Sequence, residues 1–344
     1  MPVDRLLRAL LACFALCSSH ALAADISLPH LGADPAKVSV SGLSSGAVMA
    51  IQYEVAYSAS VMGVGVVAGV PYNCALTSGP VPLANLPGCM GGSPSGAVAS
   101  AAANGLAGFG QIDDPANIAR HKVYLFSGTK DEVVKPTTMN AVADFYRDLH
   151  VQGANLAFVN DVPAGHAFIS AVFGSACGTS AKPYVNQCMV GGVAYDQPRA
   201  ILTHIYGALQ PKVAALSSAP VSFDQTELAP ATAGMAKTGY VYVPAACAAA
   251  GAAKCAVHVV FHGCGQSAKM VSDAVYGKVG YNEWADSNHI ILLYPQVDPQ
   301  PNAFAPAFNP YGCWDWWGTT GFNFQSRSGA QLSAVHAMIQ RLLK

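Results

Sequence analysis

A glycine-flanked serine near the start of the chain constrains the fold more than any other feature. Residues 42–46 read Gly-Leu-Ser-Ser-Gly, between a predicted strand at 37–41 and a predicted helix at 46–56. In that context the G-x-S-x-G pattern forms a strained turn that lifts its central serine above a sheet. The pattern predicts that Ser44 is a nucleophile; the alternative is a Ser/Gly-rich turn in which Ser44 only caps the helix.

A serine nucleophile needs a base, and the base needs an acid that orients it. In α/β-hydrolases the acid and then the histidine follow the serine along the chain. Asp131 and His166 each follow a predicted strand, at 123–127 and 156–160. Catalytic groups lie at the carboxyl ends of strands in such sheets, so we predict Asp131 as the acid and His166 as the base. Other acids and histidines in this half are the alternatives: Asp113, Asp114, Asp161, His121, His150 and His204.

Strands and helices alternate along most of the chain. The run at 61–70 is apolar and rich in valine, as in a strand buried on both faces of a parallel sheet. Further strands are predicted at 241–243, 257–261 and 290–294, and helices at 137–149, 197–207, 281–288 and 328–342. This alternation predicts an α/β fold with a mostly parallel, doubly wound sheet in one domain at 24–344. Residues 71–110, rich in Gly, Pro, Ala and Ser, are predicted to be a partly helical excursion that roofs a cleft.

The loop that supplies the second oxyanion donor normally lies upstream of the nucleophile. Here the matching segment lies far downstream, where residues 262–266 read His-Gly-Cys-Gly-Gln after the predicted strand at 257–261. A helix, a strand and a terminal helix follow, and the chain then ends where an ordinary hydrolase would continue into its serine turn. The order predicts a circular permutation of the α/β-hydrolase fold. The alternative is that His262-Gly263 is merely a turn closed by a disulfide at Cys264.

The first 23 residues have the pattern of a secretory signal. Arg5 and Arg8 precede a short apolar run, and residues 21–23, Ala-Leu-Ala, form a small-x-small cleavage site. The mature chain is therefore predicted to start at Ala24 and to be secreted, either extracellular or periplasmic in a Gram-negative host. The alternative is a buried N-terminal helix.

The cysteines predict a disulfide-stapled fold. Ten are present, of which Cys13 and Cys17 would leave with the signal. An even number remains, which in an oxidising compartment indicates disulfides. About 105 pairings exist for eight cysteines. Short separations favour three local bridges and leave one long-range pair: Cys74–Cys89, Cys177–Cys188, Cys247–Cys255 and Cys264–Cys313.

Composition excludes some partners. Only 11% of the 344 residues are charged and the formal net charge is −1, whereas nucleic-acid binding needs clustered Lys and Arg. No segment after the signal has the length and charge-free character of a membrane span, and no cysteine or histidine spacing suggests a metal site. We expect a monomer that binds no nucleic acid, membrane or metal and acts on an uncharged substrate.

The serine turn, the loops that carry Asp131 and His166, and the downstream His-Gly-Cys-Gly-Gln segment together resemble extracellular poly(3-hydroxybutyrate) depolymerases. The resemblance is to the circularly permuted, single-domain type and spans residues 38–317. It implies a triad of Ser44, Asp131 and His166, an oxyanion hole formed by the N–H groups of Ser45 and Cys264, and no cofactor. It also implies hydrolysis of an aliphatic polyester or its oligomers to short hydroxyacids. We expect no linker or separate substrate-binding domain, so adsorption to polymer would use the catalytic domain itself.

An aromatic cluster near the end of the chain is predicted to bind the substrate. Residues 313–318 read Cys-Trp-Asp-Trp-Trp-Gly. Tryptophans clustered in a Gly/Pro-rich loop suggest a platform for an apolar ligand. The predicted contacts are Trp314, Trp316, Trp317, Asn309 and Tyr311, although core packing would claim at least one of the tryptophans.

Two other functions fit the same residues. A secreted feruloyl or acetyl-xylan-type carbohydrate esterase would use the same triad on a different ester. A catalytically silent polymer-binding protein would keep the fold and lose the chemistry.

Overall fold

Five-residue to six-residue strands rich in valine and isoleucine form the centre of an eight-stranded sheet. The computed structural model describes residues 25–248, 254–300, 302 and 308–344, so the predicted signal at 1–23 and the predicted start at Ala24 lie outside the described residues. The strands are β1 (Val38–Leu43), β2 (Gly63–Val67), β3 (Lys122–Phe126), β4 (Leu156–Val159), β5 (Phe168–Ile169), β6 (Ser175–Ala176), β7 (Val185–Gln187), β8 (Met189–Val190), β9 (Val193–Ala194), β10 (Val221–Asp224), β11 (Thr238–Tyr242), β12 (Ala256–Phe261) and β13 (Ile290–Tyr294).

The large sheet runs in the order β10-β11-β13-β12-β1-β2-β3-β4. Its strands pair in parallel from β13 to β4, and only β10 and β11 run antiparallel to their neighbours. The α/β fold with a mostly parallel sheet is therefore confirmed. The strands β12 and β13 come late in the chain, yet β12 pairs with β1 and β13 pairs with β12. A circular permutation requires this strand order. The permutation itself stays a prediction.

Helices cover both faces of this sheet. They are α1 (Ser45–Ala56), α2 (Cys74–Thr77), α3 (Pro82–Gly91), α4 (Gly96–Gly108), α5 (Pro136–Asp148), α6 (Gln197–Tyr206), α7 (Ala245–Ala248), α8 (Ala268–Val271), α9 (Tyr281–Ser287) and α10 (Ala330–Leu343). The helices α1, α5 and α10 pack on one face, where α1 contacts α10, and α6 packs with α9 on the other. None of the helices in the described ranges is long and apolar enough to span a membrane.

Successive residues of a strand point to opposite faces of the sheet, and β1 shows the consequence. Its Val38 and Val40 are buried apolar residues, whereas Ser39 and Ser41 bond to the ring of His258 on β12 at 2.6 and 2.8 Å. The two serines also bond to tyrosine hydroxyls of α6 and α9. Burial lowers the pKa of His258 to about 3, so this histidine is a neutral member of the core beneath α6 and α9.

The ends of the long buried strands were predicted to within three residues. Most of the elements that sequence analysis did not predict are short or lie at an edge: β5 to β10, α2, α7 and α8. The ten-residue α3 lies in the segment 71–110, which was predicted only as partly helical. Two-residue and three-residue strands are too short to show an alternating pattern, and β10 is an edge strand with one exposed side.

Four disulfides tie loops to this frame. The structure pairs the cysteines as their separations predicted: Cys74–Cys89, Cys177–Cys188, Cys247–Cys255 and Cys264–Cys313. The first three close loops of 15 residues or fewer. The fourth joins segments that are 49 residues apart and connects the loop after β12 to the tryptophan loop.

Candidate active site

The turn between β1 and α1 holds Ser44 in a conformation that few residues other than glycine adopt. Its φ is 57° and its ψ is −123°, and its N–H donates to the Val67 carbonyl at 2.9 Å. A Cβ on Gly42 would collide with the Gly46 carbonyl across the turn. Glycine at position 42 therefore allows the close backbone approach across the turn, and the serine is presented at the carboxyl edge of the sheet.

Asp131 and His166 meet at this edge. Asp131 follows β3, and His166 lies between β4 and β5; both side chains are buried. The Asp131 Oδ2 atom lies 2.8 Å from His166 Nδ1, while its Oδ1 accepts the N–H groups of Val133 and Val134 at 2.9 Å. Because Oδ1 is occupied, Oδ2 is held toward the ring. An imidazole that donates its Nδ1–H to Asp131 leaves Nε2 free to accept a proton.

The rival acids and histidines have other partners or lie in solvent. Asp113 pairs with Arg327 at 2.8 Å, and Asp114 caps a short helix through the Ala116 N–H. His121 forms a buried pair with Glu54 at 2.9 Å. The remaining three are exposed or bonded to the backbone: Asp161, His150 and His204.

The segment after β12 lies directly against the serine turn. A Cβ on Gly46 would collide with the carbonyl oxygens of Phe261 and His262, so α1 begins in contact with the end of β12. A Cβ on Gly263 would lie 3.5 Å from the Ser44 Cβ. Ser45 follows Ser44 in the chain, and Cys264 follows Gly263. Their N–H groups have no hydrogen-bond partner within the described residues, so both are free to donate to an oxyanion.

The Ser44 hydroxyl and the His166 ring are not hydrogen-bonded to each other in the described residues. Such bonds are often long in unliganded serine hydrolases and tighten when substrate binds. The structure therefore brings the three residues of the predicted triad to one edge of the sheet, and two of them, Asp131 and His166, are hydrogen-bonded to each other.

An apolar cleft of about 510 Å³ opens beside Cys264. One wall is α3, and the other is the loop that follows β13. The lining residues include Leu83, Leu86, Met90, Phe308, Asn309, Tyr311, Trp316 and Trp317. The excursion predicted to roof a cleft thus does line one, through α3.

The three clustered tryptophans have different environments. Trp316 and Trp317 line the cleft with their rings in a T-shaped contact at 5.7 Å. The prediction for Trp314 as a substrate contact is wrong. Its exposed fraction is 0%, and its ring packs edge-on against Phe261 at 5.0 Å in the main core. Because the core encloses this ring, no ligand can reach it.

The two other predicted contacts also differ from each other. Tyr311 lines the cleft with 63% of its surface exposed. Asn309 lies at the cleft too, but its amide is occupied by the backbone of Cys313, at 2.8 and 2.9 Å. Asn309 therefore shapes the loop, while Tyr311 is free to contact a ligand.

Sequence analysis missed Asp315, which organises the tryptophan loop. Its buried carboxylate accepts the N–H groups of four residues that follow it and the Thr320 hydroxyl, at 2.7 to 3.2 Å. Aspartate and glycine are common turn residues, and Gly318 follows Asp315 by three positions, but only the contacts show that this turn carries the cleft wall. The sequence analysis predicted that residues 71–110 roof a cleft but did not identify the apolar side chains of α3 as its wall, because these leucines lie in a Pro/Gly-rich segment.

No group of three or more His, Cys, Asp or Glu side chains that could hold a metal ion occurs in the part of the chain that the structure describes. The expectation of no metal and no cofactor stays a prediction.

Acyl transfer by a serine needs a nucleophile, a base oriented by an acid, and N–H donors for the oxyanion. Groups able to fill each of these roles lie together at the carboxyl edge of this sheet. The molecule therefore falls in the class of α/β serine hydrolases.

Comparisons with known proteins narrow that class. No protein-family model matches the chain. The "Poly(3-hydroxybutyrate) depolymerase" of Delftia acidovorans is 41% identical over 337 residues, which are 96% of this chain and 64% of that protein. The "Polyhydroxybutyrate depolymerase" of Talaromyces funiculosus is 37% identical over 331 residues, 93% of each chain.

Two solved structures agree with these relatives. One is the PHB depolymerase from Penicillium funiculosum, and the other is a serine-to-alanine variant of a PHB depolymerase complexed with an R3HB trimer. Each has a TM-score of 0.84 and 36% identity, and covers 92% of this chain and 98% of the solved chain. The chain belongs to the polyhydroxybutyrate depolymerase family, whose enzymes are carboxylic ester hydrolases of the serine type. It spans 64% of the length of the Delftia relative.

Proposed function

We propose that this chain is a secreted esterase that hydrolyses poly(3-hydroxybutyrate) or its oligomers to short hydroxyacids. The proposed triad is Ser44, His166 and Asp131, and the proposed oxyanion donors are the N–H groups of Ser45 and Cys264. The observation that carries the proposal is the 2.8 Å contact between Asp131 and His166, at the same sheet edge as the strained Ser44 turn. Membership of the depolymerase family supports the choice of substrate.

The proposed reaction uses each of these groups. His166 Nε2 takes the proton of the Ser44 hydroxyl as Oγ attacks the ester carbonyl, and the oxyanion accepts the two N–H groups. The C–O bond to the leaving hydroxyacid then breaks, and His166 returns the proton to that alcohol. Water, deprotonated by His166, attacks the acyl-enzyme, and the acid product leaves with Ser44 restored.

The cleft supports an apolar, uncharged substrate. Its walls are leucine, methionine and aromatic side chains beside Cys264, one of the proposed oxyanion residues. Three lining residues are also exposed at its mouth: Leu83, Phe308 and Tyr311. Exposed apolar side chains grouped around a cleft mark a surface for an apolar partner. We propose that polymer adsorbs here, on the single catalytic domain at 24–344.

Secretion as a monomer is part of the same proposal. Four disulfides are consistent with an oxidising compartment, and residues 1–23 have the pattern of a signal. N-terminal sequencing of exported protein should read from Ala24, and size-exclusion chromatography should give the mass of one chain.

The test compares wild type with Ser44→Ala on a poly(3-hydroxybutyrate) suspension and on p-nitrophenyl butyrate. Wild type is expected to clear the suspension and cleave the soluble ester, and Ser44→Ala to lose both activities. Ser333→Ala, on α10, is the control for serine replacement as such. Chromatography of the products should find hydroxybutyrate or its short oligomers.

The alternatives give different results. Full esterase activity of Ser44→Ala would show that Ser44 is not the nucleophile. Hydrolysis of acetylated xylan or feruloylated sugar, with no action on polyester, would favour the carbohydrate esterase. Tight adsorption to polymer without hydrolysis of any ester would indicate a binding protein.

A further inference from the structure

Gln266 uses both ends of its side-chain amide to hold two different loops. The side chain is buried. Its Oε1 accepts the Gly263 N–H at 2.8 Å, and its Nε2 donates to the carbonyls of Pro183 and Tyr184 at 3.0 and 2.9 Å. An N–H on one side and two carbonyls on the other determine which end of the amide is which.

The loop that contains Pro183 and Tyr184 holds the His166 segment. The Tyr184 carbonyl that accepts from Gln266 also accepts the Phe168 N–H at 3.0 Å. The His166 N–H donates to Ser180 Oγ at 2.9 Å, earlier in the same loop. Gln266 therefore connects the segment that carries Cys264 with the loop that supports His166.

The loop that contains Gly263 depends on Gln266 in two ways. The side chain fixes the Gly263 N–H, and the Gln266 backbone N–H donates to the Gly263 carbonyl at 3.2 Å. That carbonyl also faces His262 Nδ1 at 2.8 Å. The Gly263 C=O and the Cys264 N–H belong to the same planar peptide unit and point in opposite directions. Whatever holds the carbonyl also aims the N–H.

The Gly263 loop needs such a restraint because glycines flank Cys264 on both sides. Gly265 has a φ of 69°, and glycine makes rotation of the adjoining peptides easy. Two further contacts hold the other side of the loop: the Gly265 N–H bonds to the Tyr311 carbonyl at 2.7 Å, and Cys264 is disulfide-bonded to Cys313.

We propose that Gln266 is a positioning residue for catalysis, which sets the direction of the Cys264 N–H relative to the His166 base. The proposal rests on the proposed function, in which that N–H is an oxyanion donor. Gln266 does not touch the substrate. Its side chain holds the His262–Gly263 peptide through the Gly263 N–H, and that peptide sets the position of the Gly263–Cys264 peptide that follows it. Loss of the side chain should therefore lower kcat and leave substrate binding nearly unchanged.

The test uses two variants and one matched control. Gln266→Met keeps the length of the side chain and removes its three hydrogen bonds. Gln266→Glu keeps the acceptor and turns a second acceptor toward two carbonyls. Gln225 is the control, since it is also buried, accepts one backbone N–H and donates to two carbonyls, at the β10 edge of the sheet. Gln225→Glu therefore makes the same chemical change elsewhere.

Steady-state kinetics on p-nitrophenyl butyrate are measured on protein shown to be folded by near-UV circular dichroism. A misdirected oxyanion donor lowers kcat of both Gln266 variants by about 10- to 100-fold, with KM within about threefold of wild type. Gln225→Glu keeps the wild-type kcat. In Gln266→Glu the ratio of its kcat to that of wild type rises as the pH is lowered, because a protonated carboxyl can again donate to one carbonyl.

Two results would overturn the positioning role: folded Gln266→Met or Gln266→Glu with wild-type kcat, or a kcat loss in Gln225→Glu as large as theirs. If Gln266→Glu does not fold, Gln266→Met alone decides between these outcomes. A wild type that cleaves no ester overturns the proposed function and the positioning role together. An active wild type with equally active Gln266 variants overturns only the positioning role.

Discussion

Strain at Ser44 can be measured by replacing the residue with glycine and with alanine. Both changes remove the hydroxyl, which has no hydrogen bond in the described residues, so they differ only in the Cβ. A residue other than glycine at φ 57° and ψ −123° carries about 1–3 kcal/mol of backbone strain. Glycine relieves that strain, but it lowers the stability of the fold by about 0.4–1 kcal/mol because the unfolded chain gains conformational freedom. With the middle of each range, Ser44→Gly is expected to be more stable than Ser44→Ala by about 1.3 kcal/mol.

Urea unfolding with the disulfides intact measures this difference. With an m-value of about 3 kcal/mol/M, the urea midpoint of Ser44→Gly should lie about 0.4 M above that of Ser44→Ala. Neither variant should cleave p-nitrophenyl butyrate. Equal midpoints, or a lower midpoint for the glycine variant, would refute the idea that the fold stores strain in this turn to present the nucleophile.

Asp131→Asn should lower kcat by about 10⁴ at neutral pH. The N–H groups of Val133 and Val134 would hold the amide oxygen and turn its NH₂ toward His166 Nδ1, which leaves Nε2 protonated. A loss below about tenfold on p-nitrophenyl butyrate would contradict this reasoning. Stability should fall in acid, because burial lowers the pKa of His258 to about 3 from an unfolded value of about 6.5. Between these values the unfolded chain binds more protons, so the free energy of unfolding is greatest above about pH 6.5 and falls by about 1.4 kcal/mol per pH unit as the pH is lowered. Urea unfolding across this pH range should show that the free energy of unfolding changes less per pH unit in His258→Gln than in wild type. An equal dependence on pH in the two proteins would contradict the role given to His258.

The parts of the site that could be predicted from sequence are those set by local backbone geometry. A strand followed by Gly-Leu-Ser-Ser-Gly and a helix predicts the Ser44 turn because the steric requirement involves neighbouring residues only. Asp131 and His166 could be predicted because parallel strands bring their carboxyl ends to one edge. The three local disulfides followed from cysteines close together in the chain.

Other features required contacts between distant parts of the chain. The tryptophans at 314, 316 and 317 look alike in sequence, yet Trp314 lies in the core and Trp316 and Trp317 line the cleft. Which side of the loop faces the core depends on Phe261 and on the hydrogen bonds of Asp315, neither of which the local pattern reveals. The cleft wall formed by α3 also could not be predicted locally, because its leucines line a cleft only where the loop after β13 lies opposite them.

Sequence alone therefore determined the α/β class, the strained serine turn and the order of the groups expected to act with it, because each depends on short-range sterics or on strand direction. Tertiary structure alone decided how the serine turn meets the loop after β12, which aromatic rings are accessible, and how Gln266 links two loops. Those features depend on pairs of residues far apart in the chain, whose distances no local pattern encodes.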